Sequence, residues 1–310
     1  MSDGSSGGLR FSRNTPSKGL KNERREAARE KARELRELHR KKERRGRFIL
    51  QGTIIGVLVA AVVIVVLVIT TGIKPPASGP RNMASDGIVI GKGYTAVPTS
   101  AIEAGGVPVA TTEKPGVLSI RIYLDYLCPV CGDFEKTNSQ QISTLVKQGV
   151  ATVEIHPVAI LDRVSQGSRY STRAANAAAC VANYSPNTFF AFSAEMYAQQ
   201  PGENTEGLSD AQLTSITKKV GATQQSNITA CIEDLDFAQW VKDSTSRAVD
   251  DTDLQGAQGF GTPTVLVNGK MFTGSVTDPT DFAQFIAAAD GEASAQKASE
   301  SPTPSPSGAP

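Results

Sequence analysis

The alternation of apolar and polar positions divides this 310-residue chain into stretches of different character. Residues 1–20 are rich in Gly and Ser and show no apolar period, which predicts disorder. Residues 21–45 mix Lys, Arg, Glu, Ala and Leu with opposite charges four positions apart, good helix-forming chemistry. Only Leu35 and Leu38 there exceed alanine in apolar size, so the helix belongs on water or on a membrane surface rather than in a core. Residues 48–73 contain no charge, and about 20 apolar residues span a bilayer, which predicts a transmembrane helix. Residues 74–86, with Pro, Ser and Gly, read as a linker.

From residue 87 the periods are those of a folded α/β domain. Two short apolar runs, 87–90 and 107–109, predict a small hairpin or an edge extension. Residues 117–124 are mostly β-branched, aromatic or aliphatic, as a buried strand requires, and a helix follows. Residues 150–160 predict a second central strand ending at His156, which reads as a strand-end surface histidine rather than a ligand. Residues 174–182, 188–199, 210–220 and 227–240 carry helical spacing, an all-helical insertion over about 165–255. The β signal returns at 261–272, where Asn268-Gly269 between apolar runs predicts a type I′ hairpin turn. Asp278-Pro279 then fits the N-cap and first position of a last helix, 280–289, and 291–310 reads as a disordered tail.

Charge sharpens the picture at one end. The formal net charge is +1, yet residues 1–47 hold 16 Lys/Arg against 7 Asp/Glu, leaving the remainder at −8. Ten of those cations lie within 20 residues of the apolar segment, against only Lys74, Arg81 and Lys92 beyond it. The positive-inside rule therefore predicts a cytoplasmic N-terminus and an extracytoplasmic domain. A cleaved signal peptide fits less well, given the long lead, the length of the apolar core and the lack of a clear A-x-A site. So basic a run could also touch nucleic acid, but the neighbouring span accounts for it more simply.

The candidate chemistry lies at Cys128-Pro129-Val130-Cys131, directly after the first strand. Pro129 suits the first helical position, which places Cys128 at the N-cap, facing unpaired N–H groups and the positive end of the helix dipole. A sulfur there is stabilised as thiolate, the form that attacks disulfides. C-x-x-C is also half of a zinc site, but the remaining candidates, Cys180, Cys231, His39 and His156, form no second pair at ligand spacing. The pattern favours redox over zinc. Four cysteines in a chain of this length do not make a disulfide-dense scaffold, so the core must be hydrophobic.

With Asp125–Glu135 (DYLCPVCGDFE) and FGTPTVLVNG at 260–269 both in view, the chain resembles the DsbA-like branch of the thioredoxin superfamily, and especially its membrane-tethered Gram-positive and actinobacterial forms. The resemblance covers residues from about 85 to 290. It implies a thioredoxin fold with an all-helical insertion, here preceded by one transmembrane helix: basic cytoplasmic tail 1–47, span 48–73, linker 74–86, thioredoxin domain 87–290 and tail 291–310. It implies that Cys128 is the exposed attacking cysteine, Cys131 the buried resolving one and Pro263 a cis-proline lying against the pair. Thr262 would present its backbone to an extended substrate segment. A second, structural bridge in this layer, Cys180–Cys231, is also implied, the alternative being two buried free thiols.

Two departures stand out. The position within C-x-x-C that often carries His in strong oxidants is Val130, and the acidic position six residues before the first cysteine is Ile122. The resemblance implies no organic cofactor and no metal. Its partners would be reduced exported proteins, a membrane-embedded DsbB- or VKOR-like reoxidant and the membrane itself, with no nucleic acid. A thiol reductase or isomerase remains open, as does a non-enzymatic tethered binding module whose C-x-x-C is a structural disulfide. A kinase-like cytoplasmic part lacks support, because the first 47 residues cannot form a core.

Overall fold

The computed structural model describes residues 78–300 continuously, with side chains as far as 291, and only scattered helical positions between 26 and 63 before them. Two units are distinguished, Met1–Lys74 and Pro75–Pro310. In the first, residues 29–37 and 40–42 are helical. The expected transmembrane helix 48–73 lies outside the described residues except at 56 and 60–63, which are helical. No helix among the described residues is long and apolar enough to cross a membrane. Residues 1–20 and 301–310 also lie outside the description.

The second unit is built on six strands: β1 (Ile88–Gly91), β2 (Thr95–Ala96), β3 (Leu118–Leu124), β4 (Ala151–Pro157), β5 (Thr264–Val267) and β6 (Lys270–Met271). Their order in the sheet is β2-β1-β4-β3-β5-β6, with β3 and β4 parallel and the other pairs antiparallel. A parallel pair needs a long crossover, and helix α1 (Pro129–Gln148) supplies it between β3 and β4. Gly149, left-handed at φ 80°, closes α1 with its N–H on Leu145 O and Val146 O, the usual glycine C-cap.

Strand alternation sorts β3 between two cores. Leu118, Ile120, Ile122 and Leu124 enter the main one with Phe134, Ile142 and Val146 of α1 and Phe282 and Ile286 of the last helix. Tyr123 points to the other face, into a smaller cluster with Val158, Ala248, Leu254 and Leu266. The helical layer consists of α2 (Tyr170–Tyr184), α3 (Phe189–Ala198), α4 (Asp210–Lys219), α5 (Gln225–Glu233) and α6 (Ala238–Asp250), and the chain returns through β5 and β6 to α7 (Pro279–Glu300). Cys180 of α2 and Cys231 of α5 are joined by a disulfide, with Cα atoms 5.9 Å apart.

Several details correct the sequence reading. The run at 87–90 does extend the sheet, as β1 beside β4, but its hairpin partner is Thr95–Ala96 and not 107–109, where Val107 and Val109 are exposed. Residues 78–86, read as the end of a linker, are packed. Met83 sits in the main core with no exposed surface, and Asp86 forms a two-armed ion pair with Arg247 at 2.6 and 2.8 Å. Composition hid this because Met83 is the one large apolar residue in that stretch. His156 is buried, not on the surface: it stacks on Tyr123 at 4.3 Å, and Gly87 packs against its ring. The helix expected over 227–240 is two, broken where Leu235 takes a left-handed φ of 53° with no glycine or proline to announce it. Helix α7 runs on to Glu300, into the stretch read as a disordered tail, because residues 292–300 are mostly Ala, Glu, Gln and Lys, and Pro begins only at 302. The hairpin turn has both residues left-handed, Asn268 at φ 48° and Gly269 at φ 77°, as type I′ requires.

The disulfide crosses 51 positions of sequence. On the chain-entropy account, replacing both cysteines by alanine should cost about 4 kcal/mol, read as a lower guanidinium midpoint at unchanged slope. A loss well under 1 kcal/mol would mean that α2 and α5 hold each other without it.

Candidate functional site

The site forms where β3 ends beside the N-terminus of α1, the end of a sheet where α/β proteins bind ligands. Cys128 is the N-cap, with extended φ −69° and ψ 115°, and Pro129 takes the first helical position. The turn leading in is closed by Cys128 N–H donating to Asp125 O at 3.0 Å. The Asp125 carboxylate, fully buried, accepts from Leu127 N and Ser171 Oγ on one oxygen and from Ile160 N and Leu161 N on the other, all within 3.0 Å. Burial pushes its pKa up to about 6, against the pull of those four donors.

Opposite the helix end, the Thr262–Pro263 bond is cis, and Thr262 O accepts from the Cys128 thiol at 3.2 Å. Cys128, Cys131, Thr262 and Pro263, far apart in sequence, are thus brought together, whereas Cys180 and Cys231 lie apart in the insertion and His156 behind the sheet. Cys128 and Cys131 are free thiols. Cys128 is less exposed than the resemblance implies, with 6% of its surface accessible against 2% for Cys131. Its Sγ is turned onto the Thr262 carbonyl.

Electrostatics separates the two thiols. Cys128 is lowered to about 6, chiefly by a hydrogen bond from Cys131, with further help from the Thr262 side chain and the Cys131 and Val130 N–H groups, and against its desolvation. Burial pushes Cys131 well up, and the neighbouring Cys128 adds to this. The pair therefore holds one ready thiolate and one protonated thiol, the division that attack and resolution of a mixed disulfide require. Among the described residues no cluster of His, Cys, Asp and Glu could hold a metal ion.

Residues that sequence reading passed over surround the pair. Gln200, just after α3, donates to Tyr126 O at 3.1 Å and to Cys128 O at 2.9 Å. The Tyr197 hydroxyl reaches Asp125 O at 3.3 Å. Glu135, one turn beyond Cys131, lines a cleft between α1 and α3, and burial raises its carboxyl to about 7. Only Asp125 carried any signal, its nearness to the C-x-x-C. The others are brought in by the fold from about 70 residues away or lie on a helix face whose partner no local pattern names.

The Thioredoxin_4 family model, described as thioredoxin, matches residues 116–288, more than half of the chain. The chain belongs to this family. The thioredoxin-family chain is similar to the crystal structure of oxidised DsbA from Mycobacterium tuberculosis, at TM-score 0.51 and 28% identity, covering 68% of this chain and 98% of that one. The reduced form of the same DsbA matches at TM-score 0.50 and 27% identity over the same shares. Among curated proteins, serine/threonine-protein kinase PknE of Mycobacterium tuberculosis is 31% identical over 188 residues, 58% of this chain and 31% of the kinase. The chain thus spans about a third of the length of the curated relatives it matches. A thiolate–thiol pair of this geometry and the similarity to DsbA structures are consistent with thiol–disulfide exchange.

In the reduced protein, alkylation of Cys128 by iodoacetamide should rise with a midpoint near pH 6, while Cys131 stays unreactive at neutral pH. A midpoint near 9 would mean that the helix end and Cys131 do not stabilise the thiolate. The sign for stability follows. A thiol held below its ordinary value contributes stability that is complete above pH 9 and is lost as pH falls toward 6. Cys131, held above 9, does not ionise in this window. The Tm of the reduced form should therefore drop relative to that of the disulfide form as pH falls from 9 to 6.

Proposed function

We propose that this protein oxidises exported proteins, passing the Cys128–Cys131 disulfide to substrate dithiols on the outer side of the cell membrane. The lowered Cys128 thiol carries this reading, because a stabilised thiolate makes the reduced enzyme the favoured product and the enzyme an oxidant. A substrate thiolate attacks Cys128 Sγ, and the Cys128–Cys131 bond breaks, releasing Cys131, which takes up a proton. The substrate's second thiolate then attacks the substrate sulfur of the mixed disulfide, and Cys128 leaves as thiolate. Two electrons have moved from substrate to enzyme. Val130, 46% exposed beside Cys128, offers apolar surface to the incoming chain, and the Thr262 backbone is placed to pair with it in extended form.

The location rests on the charge bias around residues 48–73, which argues for a single-pass anchor with a cytoplasmic N-terminus and an extracytoplasmic catalytic domain. Reoxidation would fall to a membrane-embedded, quinone-linked DsbB- or VKOR-like protein. The kinase name of the curated relatives does not carry over. The shared stretch is a third of those proteins, and this chain lacks the kinase triplets His-Arg-Asp and Asp-Phe-Gly.

The deciding measurement is the reduction potential of the pair against glutathione, with Cys128→Ser as control. A value between about −120 and −180 mV is expected. One near −270 mV, the thioredoxin value, would make the protein a reductant and overturn the oxidase direction. Absence of equilibration would mark an inert structural bridge.

A further inference from the structure

The carboxamide of Gln200 lies astride the first turn of α1. Its Nε2 donates to Tyr126 O and to Cys128 O, and the latter carbonyl also accepts the Gly132 N–H at 3.2 Å, the bond that opens the helix. Its Oε1 rests against Gly132, where a Cβ would overlap it. Gly132 has no conformational need to be glycine. It is not among the residues with positive φ, it sits within a helix, and glycine is the poorest helix former after proline. Contact with Gln200 accounts for it.

We infer that Gln200 is a positioning residue for Cys128, supplied by the helical insertion, and that position 132 is glycine to make room for its side chain. The amide fixes the carbonyls on either side of Leu127, and with them the turn that aims the Val130 and Cys131 N–H groups at Cys128 Sγ. Losing it lets those N–H groups align less well, which disfavours the thiolate. This inference rests on the reading of Cys128 as the redox thiol.

The test uses the reduced full-length chain in detergent and the variants Gln200→Leu, Gly132→Ala and their combination. Alkylation of Cys128 is followed against pH by mass spectrometry of its peptide, together with Tm. Each single variant should move the midpoint up by about one pH unit, so that the rate well below the midpoint falls about tenfold. The double variant should move it no further than the larger single, as two residues acting through one contact must. Gly132→Ala should do so although alanine favours the helix, and it reads the same contact should Gln200→Leu fail to fold. Gln199→Leu, at a side chain that donates to Glu195, should leave the profile in place. Profiles of Gln200→Leu and Gly132→Ala that superimpose on wild type would overturn the inference, as would additive shifts in the double variant. A wild-type Cys128 that never alkylates would instead overturn the redox reading itself, and this inference with it.

Discussion

A carboxylate without exposed surface fixes the point at which the central strand becomes the dithiol turn. Asp125 takes hydrogen bonds from the turn it opens, from Ile160 and Leu161 a few residues beyond β4, and from Ser171 at the start of the insertion. Removing its side chain would leave three backbone N–H groups without that partner, at about 1–3 kcal/mol for each that stays buried and unpaired. Strand, crossover and insertion therefore meet at one group. The sheet places Cys128 at the helix end, but it is this carboxylate that holds the segment after β4 and the start of α2 in register with the turn.

The parts of this arrangement that were legible in the sequence are those encoded locally. Pro129 marks a first helical position, Asn268-Gly269 a tight hairpin, and the run at 117–124 a strand, because each depends on the dihedral or burial preference of a few adjacent residues. The long-range partners were not legible. Gln200 reaches Cys128 across 72 positions through the packing of α3 on α1, and its sequence context, Gln-Gln-Pro-Gly, reads as an ordinary helix exit. His156 was misplaced for the converse reason. Its local context ends a strand, but Gly87 and the Tyr123 ring close over it from elsewhere in the fold. The break at Leu235 shows that a left-handed residue can be imposed by its neighbours without glycine.

Val130 stands where strong oxidants of this superfamily often place histidine, yet Cys128 is still lowered to about 6. The stabilisation comes instead from groups that bear no formal charge: the Cys131 thiol, the Thr262 side chain, and the backbone N–H groups of Val130 and Cys131. Dipoles of this kind act only at hydrogen-bond range and only when aimed, so the thiolate here depends on backbone placement more than a site with an imidazolium would. That dependence explains why the turn is gripped from several sides, by Asp125, Tyr197 and Gln200.

The same reasoning separates the two cysteine pairs. Cys180 and Cys231 are 0% and 1% exposed, joined across two packed helices, so no thiolate can approach in line with their bond without opening the insertion. Cys128 keeps a small accessible surface and a ready thiolate, while Cys131 behind it stays protonated. One disulfide can therefore persist while the other exchanges in the same solvent. The insertion that the buried bridge stabilises also carries Ser171, Tyr197 and Gln200 to the redox turn. The inert disulfide thus supports the rigidity on which the reactive thiol depends.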